Sequence, residues 1–213
     1  YDRIGDGTGL ANFYGDSGKG TVIASGNNLL VIWNDTYCGD GLHGPALYEG
    51  PAGMIQLPYR CLYAARVLVT SGTIDIMGRD RITSATRGVT NEVARISGGG
   101  LAMAWQEDPQ GLQLGEALGE GDGSSGARVS SGTDIWYSWM PKGEFSNNSN
   151  PWRSPLPISD NYDYETLTAI SGGASRPMLA MAGNPTTAVL VYEEAKESGS
   201  TDIGKYVRYH QFP

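Results

Sequence analysis

Three carboxylates occupy the same position in three similar stretches of the chain. Asp35, Glu107 and Glu194 each follow a large aromatic residue by two positions. The aromatics are Trp33, Trp105 and Tyr192. Residues two apart on a strand share a face, so each carboxylate is predicted beside its aromatic at a strand end. If the three strands converge on one axis, the carboxylates form a ring around one opening, which suits a cation. The alternative is that each carboxylate accepts hydrogen bonds from turn N–H groups and ends its strand.

A second candidate metal site lies in the acidic, glycine-rich segment 109–133 and the residue that follows it. Glu120, Asp122 and Asp134 offer the oxygen ligands that Ca²⁺ prefers on a flexible loop. Loops of this length inside compact domains are usually functional or metal-ordered. The segment has no EF-hand pattern, so a solvated acidic loop is an equal alternative.

The two histidines are the third candidate for chemistry. His43 and His210 would favour copper if the fold brought them together, because imidazole ligands suit this metal. Two isolated histidines without a metal are the alternative. Hydrolysis by a Ser–His–Asp triad is disfavoured, because the sequence contains no Gly-x-Ser-x-Gly motif.

Cys38 and Cys61 are the only cysteines. In a glycine-rich chain with few lysines they favour a single disulfide and an exported protein. A reduced, buried pair is the alternative, and a metal site on two cysteines is disfavoured by their spacing. The sequence opens on Tyr1 rather than Met, which predicts that a targeting segment has been removed.

Composition limits the kinds of partner. The 213 residues carry a formal net charge of −8, and the isoelectric point is near 4.7. This acidity disfavours nucleic acid and anionic membranes, and no apolar run approaches the roughly 20 residues of a membrane-spanning helix. We therefore expect other protein chains, or the remainder of a larger surface protein, as partners, with no nucleic acid and no membrane insertion.

The segments that would position these residues repeat one pattern of turn, apolar run, aromatic, spacer and carboxylate. Residues 24–35 align without gaps on residues 96–107, and residues 182–194 supply a third copy. Apolar runs joined by Gly and Asn turns predict β-hairpins. The aromatics are 72 and 87 residues apart (105 − 33 and 192 − 105), which predicts one multi-stranded sheet per repeat.

We therefore predict a single all-β domain over residues 1–213 with long glycine-rich loops. Its repeat units lie at about 20–77, 91–160 and 176–213, with an N-terminal arm at 1–19. The runs 29–33 and 188–192 are apolar at nearly every position, which predicts cover on both faces. Propeller blades cover their strands in this way, because each blade packs between two others.

The second repeat resembles a known type of propeller blade. NEVARIS (91–97), AWQEDPQGL (104–112) and TDIWY (133–137) are similar to a blade of the sialidase-like β-propeller superfamily. More narrowly, the last two segments and YVRYHQF (206–212) resemble the exported bacterial proteins called choice-of-anchor O. The resemblance implies sialidase-like β-propeller blades and a secreted or bacterial cell-surface location, and it implies no activity.

Two departures from the propeller pattern bear on the architecture. The sialidase Asp-box, Ser-x-Asp-x-Gly-x-x-Trp, is absent, and residues 152–155 keep only its end. Propellers typically have at least four blades, whereas three repeats are recognisable. We expect an incomplete or small propeller, closed by a fourth sheet from 1–19 and 62–77 or by a larger assembly.

The sequence thus favours an exported or cell-surface, non-catalytic binding or assembly protein, stabilised by Ca²⁺. A surface copper-binding protein that uses the two histidines is the first alternative. A sialidase-like glycoside hydrolase is the second. Such an enzyme needs an arginine cluster, a Tyr nucleophile and acidic partners, and no spacing in the chain singles out any of these.

Overall fold

A computed structural model describes residues 20–35, 45–50, 53–58, 60–83, 87–98, 100–108, 132–170, 172–183, 186–195 and 206–212, with backbone only for 45–50 and 53–58. Within these ranges the elements are strands, apart from a short 3-10 helix at Lys142–Glu144. The strands are β1 (Thr21–Ser25), β2 (Asn28–Asp35), β3 (Pro45–Gly50), β4 (Gly53–Pro58), β5 (Cys61–Thr70), β6 (Thr73–Arg81), β7 (Gly88–Ile96), β8 (Gly100–Asp108), β9 (Asp134–Pro141), β10 (Leu156–Pro157), β11 (Tyr162–Asp163), β12 (Thr168–Ala169), β13 (Gly173–Ala182), β14 (Thr187–Ala195) and β15 (Tyr206–Phe212).

The strands form three main antiparallel sheets. Sheet 1 has the order β1-β2-β5-β6, sheet 2 the order β10-β9-β8-β7, and sheet 3 the order β13-β14-β15. Two ribbons, β3-β4 and β11-β12, complete the described strands. The predicted all-β class is confirmed, and the described residues do not close into a propeller.

Each copy of the sequence repeat supplies the first two strands of one sheet as an antiparallel hairpin, as predicted. In the first copy Gly26 has φ of 59° in the turn, a value that glycine adopts at little cost. The next hairpin of sheet 1 turns through Ser71 and Gly72, both at positive φ. Such turns match the right-handed twist of the flanking strands, so local turn chemistry sets the register of sheet 1.

Sheet 2 lies in the middle of a stack of three sheets. Alternate side chains of β8 point to opposite faces, and all nine residues of this strand are buried. Leu101, Met103 and Trp105 pack in one core with Leu30 and Ile32 of sheet 1. Residues on the opposite face of sheet 2 pack against sheet 3; they include Ala102, Ala104, Ile135 and Tyr137. Sheet 2 therefore contributes one of its faces to each of the two cores.

The prediction that β2 and β14 are covered on both faces is wrong. In β2, Leu30 and Ile32 are fully buried, whereas their neighbours are half-buried. In β14, Leu190 and Tyr192 are buried and Val191 is half-buried. Sheets 1 and 3 are the outer members of the stack, so each buries one face against sheet 2. Cover on both faces belongs to β8 alone among these three strands.

Candidate functional site

A buried group of charged side chains lies at one end of sheet 2. Glu107 is the second-to-last residue of β8 and Asp134 begins β9, and the two residues are paired across the sheet. Arg87 stands just before β7, which pairs with the same end of β8. Arg87 Nε lies 3.3 Å from Glu107 Oε2, and its Nη2 lies 4.0 Å from Asp134 Oδ2. The antiparallel register thus brings a guanidinium between two carboxylates.

Two tyrosines of the β11 region cover the guanidinium. Arg87 Cζ is 4.7 Å from the ring centre of Tyr162 and 4.8 Å from that of Tyr164. Both distances are within the range of cation–π attraction. Tyr164 also donates a hydrogen bond of 2.7 Å from its OH to Asp134 Oδ2. The Arg87 group is therefore held by two carboxylates and two aromatic faces.

The segment before β11 fixes the Asp134 carboxylate. Its Oδ1 accepts hydrogen bonds from Ser159 Oγ at 2.7 Å and from Asn161 N at 2.8 Å. Ser159 Oγ in turn accepts from the backbone N–H of Ile135 at 2.9 Å. These bonds satisfy a side chain that is fully buried, as burial of a carboxylate requires.

Asn161 carries the network on to sheet 3. Its Nδ2 donates to Thr133 O at 3.2 Å and to Glu194 Oε1 at 3.3 Å. Glu194 Oε2 accepts a hydrogen bond from Arg208 Nε at 3.0 Å. Two of the three repeated carboxylates, Glu107 and Glu194, thus lie in one polar network, each beside an arginine of its own.

Burial dominates the protonation of this group. It raises the pKa of Glu107 from 4.5 to about 7, although the Trp105 N–H (2.8 Å) and Arg87 act in the opposite direction. Burial also raises the pKa of Asp134, against the hydrogen bonds from Asn161, Ser159 and Tyr164. The pKa of Tyr164 is raised by burial and then by the charge of Asp134. The site therefore holds a carboxyl group that titrates near neutral pH.

The three carboxylates predicted to form a ring do not form a metal site in the described part of the structure. Asp35 is buried at the end of β2, where it pairs with Cys61 of β5. Within the residues described, no group of three or more His, Cys, Asp or Glu side chains could hold a metal ion. The carboxylates instead accept hydrogen bonds from side chains: Glu107 from Trp105 Nε1, and Glu194 from Asn161 Nδ2 and Arg208 Nε. Each is the second-to-last residue of its strand, and the alternative in which turn N–H groups bind these carboxylates stays a prediction.

The predicted calcium and copper ligands are only partly within the described residues. Glu120, Asp122 and His43 lie outside them, and Asp134 takes part in the network above. His210 lies on β15 with its Nε2 3.3 Å from Tyr192 OH. Its ring stacks near Tyr192, with centres 5.9 Å apart. Calcium at the insertion and copper at the histidines stay predictions.

Cys61 is fully buried at the start of β5 and is disulfide-bonded. Its predicted partner, Cys38, lies outside the described residues. The pairing of Cys38 with Cys61 therefore stays a prediction.

Sequence reasoning missed Arg87 and Asn161, which reach the site from connecting segments.

Sequence reasoning also missed a β-bulge that two copies of the repeat share. Both β7 and β13 contain a β-bulge, at which Asn91 and Arg176 adopt positive φ. Asn91 Nδ2 donates to Gln106 Oε1 at 2.9 Å, and Arg176 Nη1 lies 3.3 Å from Glu193 Oε1. In both copies the bulge residue contacts the spacer between aromatic and carboxylate.

The comparisons with known proteins add no relative. No protein-family model matches the chain, and no curated protein or solved structure matches it. Across the described ranges, no helix has the length and apolar character needed to cross a membrane.

Proposed function

We propose that this chain is an exported or cell-surface bacterial protein that acts by binding or assembly rather than by catalysis, and that its sheets are sialidase-like propeller blades. The observation that supports this proposal most is the apolar outer surface at each end of the three-sheet stack. Monomeric soluble proteins rarely expose large continuous apolar patches, and such patches mark interaction sites.

The outer face of sheet 1 is the first of these surfaces. The strand register places Val22, Val31, Val67 and Ile76 on this face, with Ile74 beside them. Val22, Ile74 and Ile76 are 61%, 69% and 51% exposed. β-Branched residues on four adjacent strands suit a pleated surface that packs against another sheet. The same register places the exposed Arg79 and Arg81 on this face near the end of β6, so the face is apolar in part.

The outer face of sheet 3 is the second. Met178, Val191 and Tyr209 lie in one row across its three strands. Met178 is 69% exposed and Tyr209 is 73% exposed. Val207 continues the same face on β15, where it is paired with Glu193. The nearby Arg176–Glu193 ion pair balances its own charge, so the face is mainly apolar.

The Arg87 network fits a structural role within such a protein. Both carboxylates are nearly inaccessible, and the Asp134 oxygens accept three hydrogen bonds from the chain itself. The network also joins sheet 2 to sheet 3 through Asn161. A polar network stabilises the relative placement of the sheets to the extent that its groups are paired, and here Arg87 Nη1 and Asn161 Oδ1 are buried without a hydrogen-bond partner among the described residues.

Oxidation of Met178 tests the proposal. In a single copy of the chain this exposed thioether reacts readily with hydrogen peroxide, whereas Met103 and Met140 are fully buried and serve as slow internal references. We expect Met178 to be protected when the protein is in place on the surface of cells that export it. Rapid oxidation of Met178 on cells, or retention of the protein inside them, would overturn the proposal.

One observation favours a sialidase-like glycoside hydrolase as the second candidate. Tyr164 donates to a carboxylate beside an arginine, which are the residue types that such an enzyme uses. The raised pKa of Tyr164 opposes its use as a nucleophile. Turnover of a sialoside that is abolished in Tyr164→Phe, with the free energy of unfolding little changed, would establish this candidate over the first.

A further inference from the structure

The repeat gives each sheet two chemically different faces. We call the face of each sheet that carries the repeated aromatic its head face, and the opposite face its tail face. In sheet 2 the head face presents Leu101, Met103 and Trp105, and the tail face presents Ala102 and Ala104. Large side chains thus occupy one face of β8 and small ones the other.

Both interfaces within the stack join a head face to a tail face. The head face of sheet 2 packs on Leu30 and Ile32, which belong to the tail face of sheet 1. The head face of sheet 3, with Leu190 and Tyr192, packs on the tail face of sheet 2. The same mode of packing is therefore used twice in succession, and the stack has a direction.

One head face and one tail face pack against no other sheet within the stack. The head face of sheet 1 is its outer surface, where Val31 and Trp33 align with Met103 and Trp105 of the repeat. The tail face of sheet 3 is the other outer surface, where Val191 corresponds to Ala104. These surfaces are the two halves of the interface that the chain already forms twice.

We propose that the occupant of each outer face is a second copy of this chain. The tail face of sheet 3 in one copy packs on the head face of sheet 1 in the other, and the reverse contact closes the ring. Such head-to-tail contacts close into rings when the rotation allows it. Two copies supply six sheets, within the four to eight blades of known propellers. This inference rests on the proposed function, since it names the partner that assembly requires.

The mass of the chain in solution tests the ring directly. Analytical ultracentrifugation over a wide concentration range should give twice the 22.7 kDa of one chain. A mass of 22.7 kDa at every concentration would overturn the proposal. Masses that continue to grow with concentration would also overturn it, because an open head-to-tail contact makes filaments rather than a ring.

Single charges on each face test the mode of contact. Ile76→Glu alters the head face of sheet 1, and Tyr209→Glu alters the tail face of sheet 3. Either change should raise the dimer dissociation constant by about a hundredfold or more, because an unpaired charge would be buried at both contacts. Both side chains are exposed in the single chain, so circular dichroism should show an unchanged fold. Leu167→Glu is the control: this residue is 70% exposed and lies off both faces, so the change should leave the dimer intact.

Mixing the two variants distinguishes head-to-tail contact from contact between like faces. One intact interface remains between the tail face of Ile76→Glu and the head face of Tyr209→Glu, so the mixture should form one-to-one pairs. A face variant that still dimerises alone, or a mixture that stays monomeric, would overturn the proposal. If wild type is monomeric while Met178 is protected on cells, self-assembly fails and the proposed function stands. If Met178 is unprotected on cells, the proposed function fails whatever the mass.

Discussion

The pH dependence of stability provides a direct test of the buried Glu107. Its pKa is 4.5 when exposed and about 7 in the folded chain. Between these values the folded chain binds a proton that the unfolded chain has released. The free energy of unfolding therefore falls as pH rises from 4.5 to about 7 and then levels off.

The size of this effect follows from the two pKa values. Each pH unit of difference is worth about 1.4 kcal/mol, so Glu107 contributes about 3 kcal/mol that is present at acidic pH and lost by about pH 7. Asp134 adds to the fall with the same sign, because its pKa is also raised. In Glu107→Gln the Glu107 contribution is absent and only that of Asp134 is left.

Chemical denaturation between about pH 5 and pH 8 measures both slopes. The slope is the readout, because the variant also loses the contact with Arg87 and its absolute stability shifts. Glu144→Gln is the matched control: this exposed carboxylate is bound to Arg153, which lowers its pKa, so it stays ionised over the whole range. If Glu107→Gln has the same slope as the wild type, the inferred protonation of Glu107 is wrong.

Three further predictions concern the cores and are checked by denaturant unfolding. Met103→Ala should lower the free energy of unfolding by about 2–5 kcal/mol, because Met103 is fully buried. The same change at the exposed Met178 should alter it by no more than about 0.5 kcal/mol. Equal costs at the two positions would contradict the stacking of sheets 1 and 2. Arg66→Met should cost about 3–5 kcal/mol by leaving Asp80 buried without its 2.9 Å partner, and adding Asp80→Leu should recover part of that loss. Gly78→Ala should also destabilise the chain, because the added Cβ would overlap the Arg66 guanidinium; unchanged stability would show that Arg66 has room to move.

The sequence predicted strands well where local chemistry determines them. The hairpin around Gly26 lies where the apolar runs and turn residues indicated. The Thr, Ser and Gly residues within 79–92 favour a loop, yet β6 continues to Arg81 and β7 begins at Gly88. The bulge at Asn91 shifts the register of β7, and such a shift breaks the alternation on which strand prediction depends.

The order of the three sheets and the Arg87 network could not be predicted from the sequence. Runs 29–33 and 101–105 are equally apolar, and only packing shows that one lies in an outer sheet and the other in the middle. Arg87 and Asn161 come from connecting segments with no periodic signal. Their role depends on long-range contacts, which residue spacing does not contain.

The two ends of the acidic insertion are held together, and this affects how the protein can change over time. The chain leaves sheet 2 at Asp108 and returns at Thr133, and Thr133 Oγ1 donates to Asp108 Oδ2 at 3.2 Å. Thr133 O also accepts from Ala174 N at 2.9 Å, which ties this root to sheet 3. When the ends of a loop are already held together, doubling its length costs only about 0.6 kcal/mol. New sequence can therefore be acquired between these two residues, or a foreign peptide grafted there for display, with little penalty to the sheets below.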